Sequence, residues 1–510
     1  MPNNKVEDLK AARDGLDILP DISRWAREGV EAIPDDDLER LKWFGLFHRK
    51  ATPGYFMLRI RMPNGTATVE QIRAIAEISE RCGRGHADIT TRQAIQLRWL
   101  TIQDVPWVLQ RLAAAGLTSQ QSGMDNVRNV VGCPVAGLSA HELIDTRPLA
   151  ARLQQAIIGH HGFSNLPRKF NISVSGCPED CTHAQSHDLS FTVATRVVDG
   201  SEVLGFNVLV GGALGGQHPM LAEPLDVFVT QNEVVPLALA ILEVFRDHGL
   251  REKRTQARLK WLLQDWGMER FRDAVEERMG TPLAPAGESR ITSHGGDHIG
   301  VDEQRDGRRV VGLLVPVGRT GAAQLIEVSD LAAHYGSGEV RFTVQQNILI
   351  PDVPEDRLSA LLAEPLLQHL RPDPSPFVRG LVTCTGNDYC HFSLIDTKGE
   401  ALRLAAALDE RYEVDEPVRL HVSGCPHACG LHRLGEVGLQ GDRVRLDGEI
   451  RDAAHVFVGG EVGPDARLAK PFADGVLVED LPLVVAEQIT AVRGAGSLRE
   501  RAAAPVIAAS

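Results

Sequence analysis

The chain repeats itself once. NISVSGCPEDCTH, which holds Cys177 and Cys181, returns 248 residues later as RLHVSGCPHACGL, which holds Cys425 and Cys429. The same offset lays LVGG (Leu209–Gly212) over FVGG (Phe457–Gly460). Upstream, LIDT at Leu143–Thr146 matches LIDT at Leu394–Thr397 at an offset of 251, and GRGHADITTRQ (Gly83–Gln93) matches GSGEVRFTVQQ (Gly336–Gln346) at 253. Blocks kept in one order, with small indels between them, mark a duplicated module. Solenoid units run about 20–50 residues, so a period this long reads as a repeated two-domain unit. The join should be TPLAPAGESRITSHGGDHIG (Thr281–Gly300), which has loop composition. In each copy an alternating run precedes a helical pattern: FMLRIRM (Phe56–Met62) before Val69–Gly83, and VVGLLVPV (Val310–Val317) before Ala322–Gly336. Strands alternating with helices imply mixed α/β domains.

Bulk properties exclude several classes. The 510 residues are enough for roughly three or four domains. Lys and Arg total 54 against 68 Asp and Glu, a net charge of −14, which argues against nucleic-acid binding. No run of eighteen apolar residues appears, so no membrane span is expected. MPNNKVEDLKAARDG at the start has no apolar core and carries acidic residues, so it reads neither as a signal nor as a transit peptide. A cytoplasmic chain is expected, in which eight cysteines are no disulfide framework.

The cysteines cluster instead. TCTGNDYCHF supplies Cys384 and Cys390 as C-x5-C, and SGCPHACG supplies Cys425 and Cys429 as C-x3-C, with 34 residues between the pairs. Four thiolates from two close pairs are the ligand set of a [4Fe–4S] cluster. Structural zinc is the competing reading, although zinc ribbons favour C-x2–4-C and C-x5-C is atypical; unrelated buried thiols are a third. The first copy keeps Cys133, Cys177 and Cys181 but has Ser139 where a fourth ligand would fall. It reads as a degenerate cluster site, with a second metal centre using another ligand as the alternative. Cys82 has no counterpart and reads as core.

C-x5-C followed by C-x3-C within SGCPxxCG resembles the signature of the sirohaem nitrite and sulfite reductase family. The stretch from PDISRWAREGVEAIPDDDLERLKWFGLFHRKATPGYFMLRIRMPNG, with DITTRQAIQLRW, DNVRNVVGCPVAG and NLPRKFNISVSG, is similar to its ferredoxin-dependent assimilatory nitrite reductases. The resemblance runs from about residue 15 to about 500. It implies two ferredoxin-like half-domains that pair, and two larger α/β domains flanking the cofactors with pseudo-twofold symmetry. The expected divisions are an N-terminal extension (1–47), half-domain 1 (48–115), a sirohaem-binding domain with the degenerate site (116–280), a linker (281–305), half-domain 2 (306–372) and a cluster domain (373–510).

The resemblance also implies roles. Cys384, Cys390, Cys425 and Cys429 hold the [4Fe–4S] cluster, and Cys429 is also axial to the sirohaem iron. Arg92, Arg128, Lys169 and Asn171 fall on the family's distal-pocket positions. Arg59 and Arg61, at i and i+2, are expected to clamp sirohaem carboxylates, with Gln93, Arg168, Gln346 and Asn347 as further contacts. The chemistry suits them: nitrite reduction to ammonium consumes six electrons and eight protons, cations stabilise departing oxygen, and lysine can relay protons whereas arginine stays charged. Lys169, Asn171, Ser173 and Ser175 alternate with apolar residues, as on a strand with one polar face. GGALGG (Gly211–Gly216) lacks nucleotide-loop spacing and reads as a close-approach turn near the macrocycle.

No flavin or nicotinamide fingerprint accompanies the chain, so electrons come from a separate protein, by the resemblance ferredoxin, acting on a monomer. Ferredoxin is acidic and would need a local basic patch; REKRTQARLK (Arg251–Lys260) is the densest run, and a solvated or sirohaem-facing helix is its alternative reading. Competing functions are sulfite reduction, precorrin-3B synthesis and non-catalytic zinc binding. The set Arg92, Arg128 and Lys169 suits a small anion. Neutral Asn171, where sulfite reductases resemble a second-lysine pattern, suits monoanionic nitrite better than sulfite, which is substantially a dianion. On charge alone, Asn171→Lys should move the kcat/KM ratio towards sulfite by about tenfold or more, a buried charged contact being worth about 1.5–3 kcal/mol.

Overall fold

The computed structural model describes residues 4–501. The described residues form two compact units, one of residues 4–372 with 462–466, the other of 373–461 with 467–501.

The first unit holds both half-domain sheets, and each lends the other a strand. Leu46–Arg49, Thr52–Ile60, Ile95–Leu100 and His86–Ile89 lie in that order, and Arg319–Gly321 from the second copy closes the edge. Gly300–Glu303, Arg309–Leu313, Ile348–Val353 and Glu339–Phe342 form the other sheet, closed by Thr66–Thr68 from the first copy. The pairings Arg319↔Asp88 and Arg341↔Thr66 are antiparallel in both cases. Each lent strand runs straight into a helix, Val69–Cys82 or Ala322–Tyr335. Thr68 begins the first with a capping box: its hydroxyl accepts from the Gln71 N–H while the Gln71 side chain accepts from the Thr68 N–H. The second copy has Gly321 there, and only the reverse bond from its N–H to Gln324 survives. The two helices bury Ile72, Ile75 and Ile78, and Leu325, Val328 and Ala332, in one shared core.

Paired amides lock the exchange. Gln93 Nε2 donates to Phe342 O and Gly132 O, both at 2.9 Å, and Gln346 Nε2 donates to Ile89 O at 2.8 Å. Ile89 and Phe342 are equivalent positions of the repeat, so the bonds are reciprocal. Gln93 and Gln346 are both left-handed (φ 57° and 69°), as are Asn64 and Val317 (57° and 50°). A β-branched valine is costly there, which shows how firmly the duplicated turn dictates its backbone.

The larger sheet of the first unit runs Ala284–Pro285, Glu223–Val229, Ser201–Val210, Leu189–Val198, Phe170–Ser175, Val127–Gly132. The second unit repeats it as Lys470–Leu477, Glu449–Val458, Val437–Leu446, Leu420–Ser423, Leu381–Thr383. Their long hairpins turn on Asp199–Gly200 and Asp447–Gly448, all four at positive φ.

One expectation changes here. The stretch 281–305 is no bare linker: Ala284–Pro285, Glu288–Ser289 and Ser293–His294 pair with neighbouring strands, and Gly300–Glu303 opens the second half-domain sheet. Its polar backbone finds ladder partners where composition suggested solvent. The N-terminal extension packs inward, with Ile22, Trp25 and Trp43 in the half-domain core. Among the described residues no helix is long and apolar enough to cross a membrane.

Gln93→Leu would orphan the N–H and C=O of Gly132 and the C=O of Phe342, at about 1–3 kcal/mol for each group left unsatisfied. Gln346→Leu removes the bond to Ile89. Urea unfolding should therefore show a lower midpoint for both variants; a parental midpoint for Gln93→Leu would contradict the lock.

Candidate functional site

In the first unit, the buried strand Val127–Gly132 carries Arg128, which is 8% exposed. Its guanidinium donates to the carbonyls of Ser122 and Met124, and Arg59 donates to the same Ser122 carbonyl at 2.9 Å. Burial holds Arg128 well below the ordinary arginine value, and the positive charges of Arg59, Arg92 and Arg168 push it further down, with Asp125 opposing them. Such surroundings favour an anion.

Two buried aspartates organise the neighbouring cations. Asp125 receives Arg254 through two nitrogens at 2.7 and 2.8 Å, and Arg168 and Lys10 at 3.4 Å each. Burial alone would raise its carboxyl, but these partners, Arg254 foremost, hold it below the carboxylate range. Asp188 receives Arg258 at 2.8 and 2.7 Å, together with the backbone N–H of Asn171 at 2.7 Å and its amide at 3.1 Å. Neither aspartate was among the sequence candidates, although Asp125 opens the DNVRN motif.

The structure brings Arg59, Arg92, Arg128 and Arg168 into one electrostatic neighbourhood. Lys169 is half-buried and directly precedes the strand Phe170–Ser175, which begins with Asn171 next in line. Arg61 differs from expectation. It is 1% exposed, and its guanidinium donates to the carbonyls of Gln121, Val127 and Arg128 and to Gln154 Oε1 at 2.8–3.3 Å. It braces the Arg128 strand instead of facing a cofactor carboxylate, and burial lowers its pKa to about 9. Gln93 and Gln346 cross-link the half-domains, as described. Asn347 accepts from the Val315 N–H at 3.0 Å, and its own amide nitrogen is buried without a partner.

The basic run 251–260 turns inward: Arg251 bonds Glu7 and Asn165, Arg254 and Arg258 hold the two aspartates, and Lys260 donates to His218 O. That is not the arrangement of a docking patch. GGALGG approaches its own chain, since a Cβ on Gly212 would lie 2.4 Å from the carbonyls of Gln185 and His187.

The second unit gathers the thiols. Leu381–Thr383 and Leu420–Ser423 are adjacent parallel strands, so the loops that follow them leave the same sheet edge. Cys384 follows the first; Cys425 and Cys429 follow the second. The Gly424 N–H points at Cys384 Sγ from 3.2 Å, and Gly430 N–H is held by Ser423 Oγ at 3.0 Å. Burial pushes the Cys425 thiol up to about 12, with Cys429, Cys384 and Cys390 adding to it. Burial and then Cys429 also raise Cys384. Thiolates crowded together in this way are stable only around cationic metal, which fits an iron–sulfur cluster.

The nitrite and sulphite reductase 4Fe-4S domain is matched over residues 123–283 and 375–502, and the ferredoxin-like half-domain of the same reductases over 48–115 and 302–367. The chain belongs to the nitrite and sulphite reductase family. The ferredoxin–nitrite reductase of Synechococcus elongatus is 46% identical over 490 residues, covering 94% of this chain and 95% of that one. The chloroplastic enzyme of Zea mays is 44% identical, covering 94% and 86%. The assimilatory ferredoxin-dependent nitrite reductase of Haloferax mediterranei is 39% identical, covering 96% and 89%. The solved structure of the NirA protein of Mycobacterium tuberculosis superimposes with a TM-score of 0.89 at 31% identity, covering 95% of this chain and 92% of that one. As a family member the chain is an oxidoreductase whose cofactors are a [4Fe–4S] cluster and sirohaem.

Family membership leaves the reading of Asn171 to geometry. Its side chain is 3% exposed, one amide N–H is held by Asp188, and its Oδ1 is buried without a partner. A lysine there would be drawn to Asp188 in competition with Arg258. Asn171→Lys should therefore shift the kcat/KM ratio towards sulfite by less than the tenfold that charge alone suggests. Paired kinetics on both anions with one electron donor measure it, and a full tenfold shift would show that the lysine escapes Asp188.

Proposed function

We propose that this chain is an assimilatory ferredoxin–nitrite reductase, a cytoplasmic monomer that reduces nitrite to ammonium with six electrons from ferredoxin. The observation that carries the reading is the buried Arg128 among Arg59, Arg92 and Arg168, together with the four gathered thiols. The first suits an anionic macrocycle and a small anionic substrate; the second suits a redox cluster.

The division of labour follows from the side chains. Cys384, Cys390, Cys425 and Cys429 would hold the cluster, and Cys429 would also bind the sirohaem iron. When bound, the two groups supply single-electron transfer and the iron at which nitrite is reduced. Arg59 and Arg168 would bind sirohaem carboxylates. Arg92 and Arg128 bind nitrite and stabilise negative charge on oxygen as it leaves as water. Lys169 Nζ delivers protons, which arginine cannot readily do. Arg61, Gln93, Gln346 and Asn347 are positioning residues that fix the backbone carrying these groups. Asp125 and Asp188 orient the cations they bind and offset part of their mutual repulsion. The half-domains are placed at 48–115 and, with Gly300–Glu303 included, at 300–372. Domain 1 ends near 280, and the cluster domain begins at 373.

Holoenzyme should contain about five irons per chain, four in the cluster and one in sirohaem, and should prefer nitrite to sulfite. Cys429→Ala should lose cluster iron and activity together. Elemental analysis and assays with reduced ferredoxin on both anions provide the check. A Cys429→Ala protein with full iron and activity would overturn the ligand assignment, and a parent preferring sulfite would overturn the substrate.

A further inference from the structure

The degenerate site of the first copy is not empty of ligands. Cys133 follows the strand Val127–Gly132, and Cys177 and Cys181 follow its parallel neighbour Phe170–Ser175, as Cys384, Cys425 and Cys429 do in the second copy. Ser139 stands where Cys390 would be, and it bridges to Gln304. A side chain from outside the motif has come in its place. His298 Nε2 lies 3.2 Å from Cys181 Sγ, and the ligand atoms of Cys133, Cys181 and His298 all lie within 4.8 Å of one another.

We propose that Cys133, Cys181 and His298 bind one borderline-soft divalent metal, zinc foremost, in a structural site. Tetrahedral zinc with bonds of about 2.3 Å to sulfur and 2.0–2.1 Å to nitrogen places its ligand atoms roughly 3.5–3.8 Å apart, within the reach these three already have. Mixed thiolate and imidazole donors at this spacing suit a single ion better than a second [4Fe–4S] cluster, which takes four thiolates. Cys177 is near enough for its charge to act on Cys181, and it is the candidate to complete the tetrahedron.

The surrounding structure is built to bring His298 in. The segment joining the two copies pairs at Ser293–His294, in parallel, with Glu179–Asp180, directly before Cys181. It then crosses Cys181 at Gly295, where any Cβ would lie 2.2 Å from the sulfur. His298 itself is left-handed (φ 58°), and its carbonyl sits where a Cβ on Gly312 would be, at 1.6 Å. Val135, Ala136, Val310 and Leu349 pack around the two thiols, shutting out the open water position that a catalytic zinc keeps. The ion would pin the joining segment to the first α/β domain and take no part in electron transfer.

The test uses anaerobically purified holoenzyme from zinc-supplemented cells, washed with a weak chelator. Elemental analysis should find one zinc per chain beyond the iron. Zinc-edge X-ray absorption should show sulfur at about 2.3 Å and nitrogen at about 2.0–2.1 Å. Cys181→Ser and His298→Ala should each lose the zinc while keeping cluster iron and nitrite reduction. Should both variants fail to fold, the absorption spectrum of the parent decides alone. A parent that neither holds zinc nor takes it up from added zinc chloride would overturn the proposal. So would a zinc shell without sulfur, zinc retained in both variants, or a Cys133–Cys181 disulfide in the native protein.

Discussion

A buried guanidinium surrounded by other guanidiniums is unstable unless something negative lies close. Arg128 is in that position, and its neighbours Arg59, Arg92 and Arg168 make it worse. Asp125 offsets part of the repulsion and is itself engaged by Arg254, as Asp188 is by Arg258. The first unit thus concentrates positive charge about Arg128, which an anionic tetrapyrrole and an anionic substrate would offset. Arg61, bonded to backbone carbonyls, holds the strand that bears Arg128 rigidly in place.

Duplication supplies that rigidity. Each half-domain sheet is finished by a strand from the other, and Gln93 and Gln346 tie the turns across the repeat. Neither half-domain is complete without its partner. The larger domains have diverged in chemistry on the same scaffold: parallel strands deliver loops to one edge in both copies, with arginines prominent in the first and four thiols gathered in the second. Gln93 also reaches beyond the half-domains, donating to the Gly132 carbonyl and accepting from the Gly132 N–H at the end of the Arg128 strand.

Much of this was legible in the residues. The repeat, the helices beginning at Val69 and Ala322, and the polar strand through Asn171 all follow from local periodicity, which survives in any tertiary setting. The cysteine pairs are legible because metal ligation needs close spacing. Arg61, Gln93 and Gln346 meet backbone carbonyls that their motifs do not announce, because a polar side chain in a motif looks the same whether it will meet a ligand or a backbone carbonyl. Asp125 and Asp188 are not legible because their counter-ions, Arg254 and Arg258, come from residues far along the chain. The joining segment read as loop because Gly and Pro also suit short edge strands. His298 had no motif at all, since its distance from Cys181 is set by a strand pairing.

The central claim is that the cationic cluster of the first unit is an anion site filled by sirohaem. Thermal unfolding of protein made in a sirohaem-deficient host, compared with holoenzyme across a sulfate series, tests it most directly. Filled by the tetrapyrrole, the cluster should respond little to sulfate. Left unfilled, it should lower the Tm and let sulfate recover much of the loss by occupying and screening the arginines. Equal Tm values for the two forms, or the same sulfate response in both, would contradict the claim.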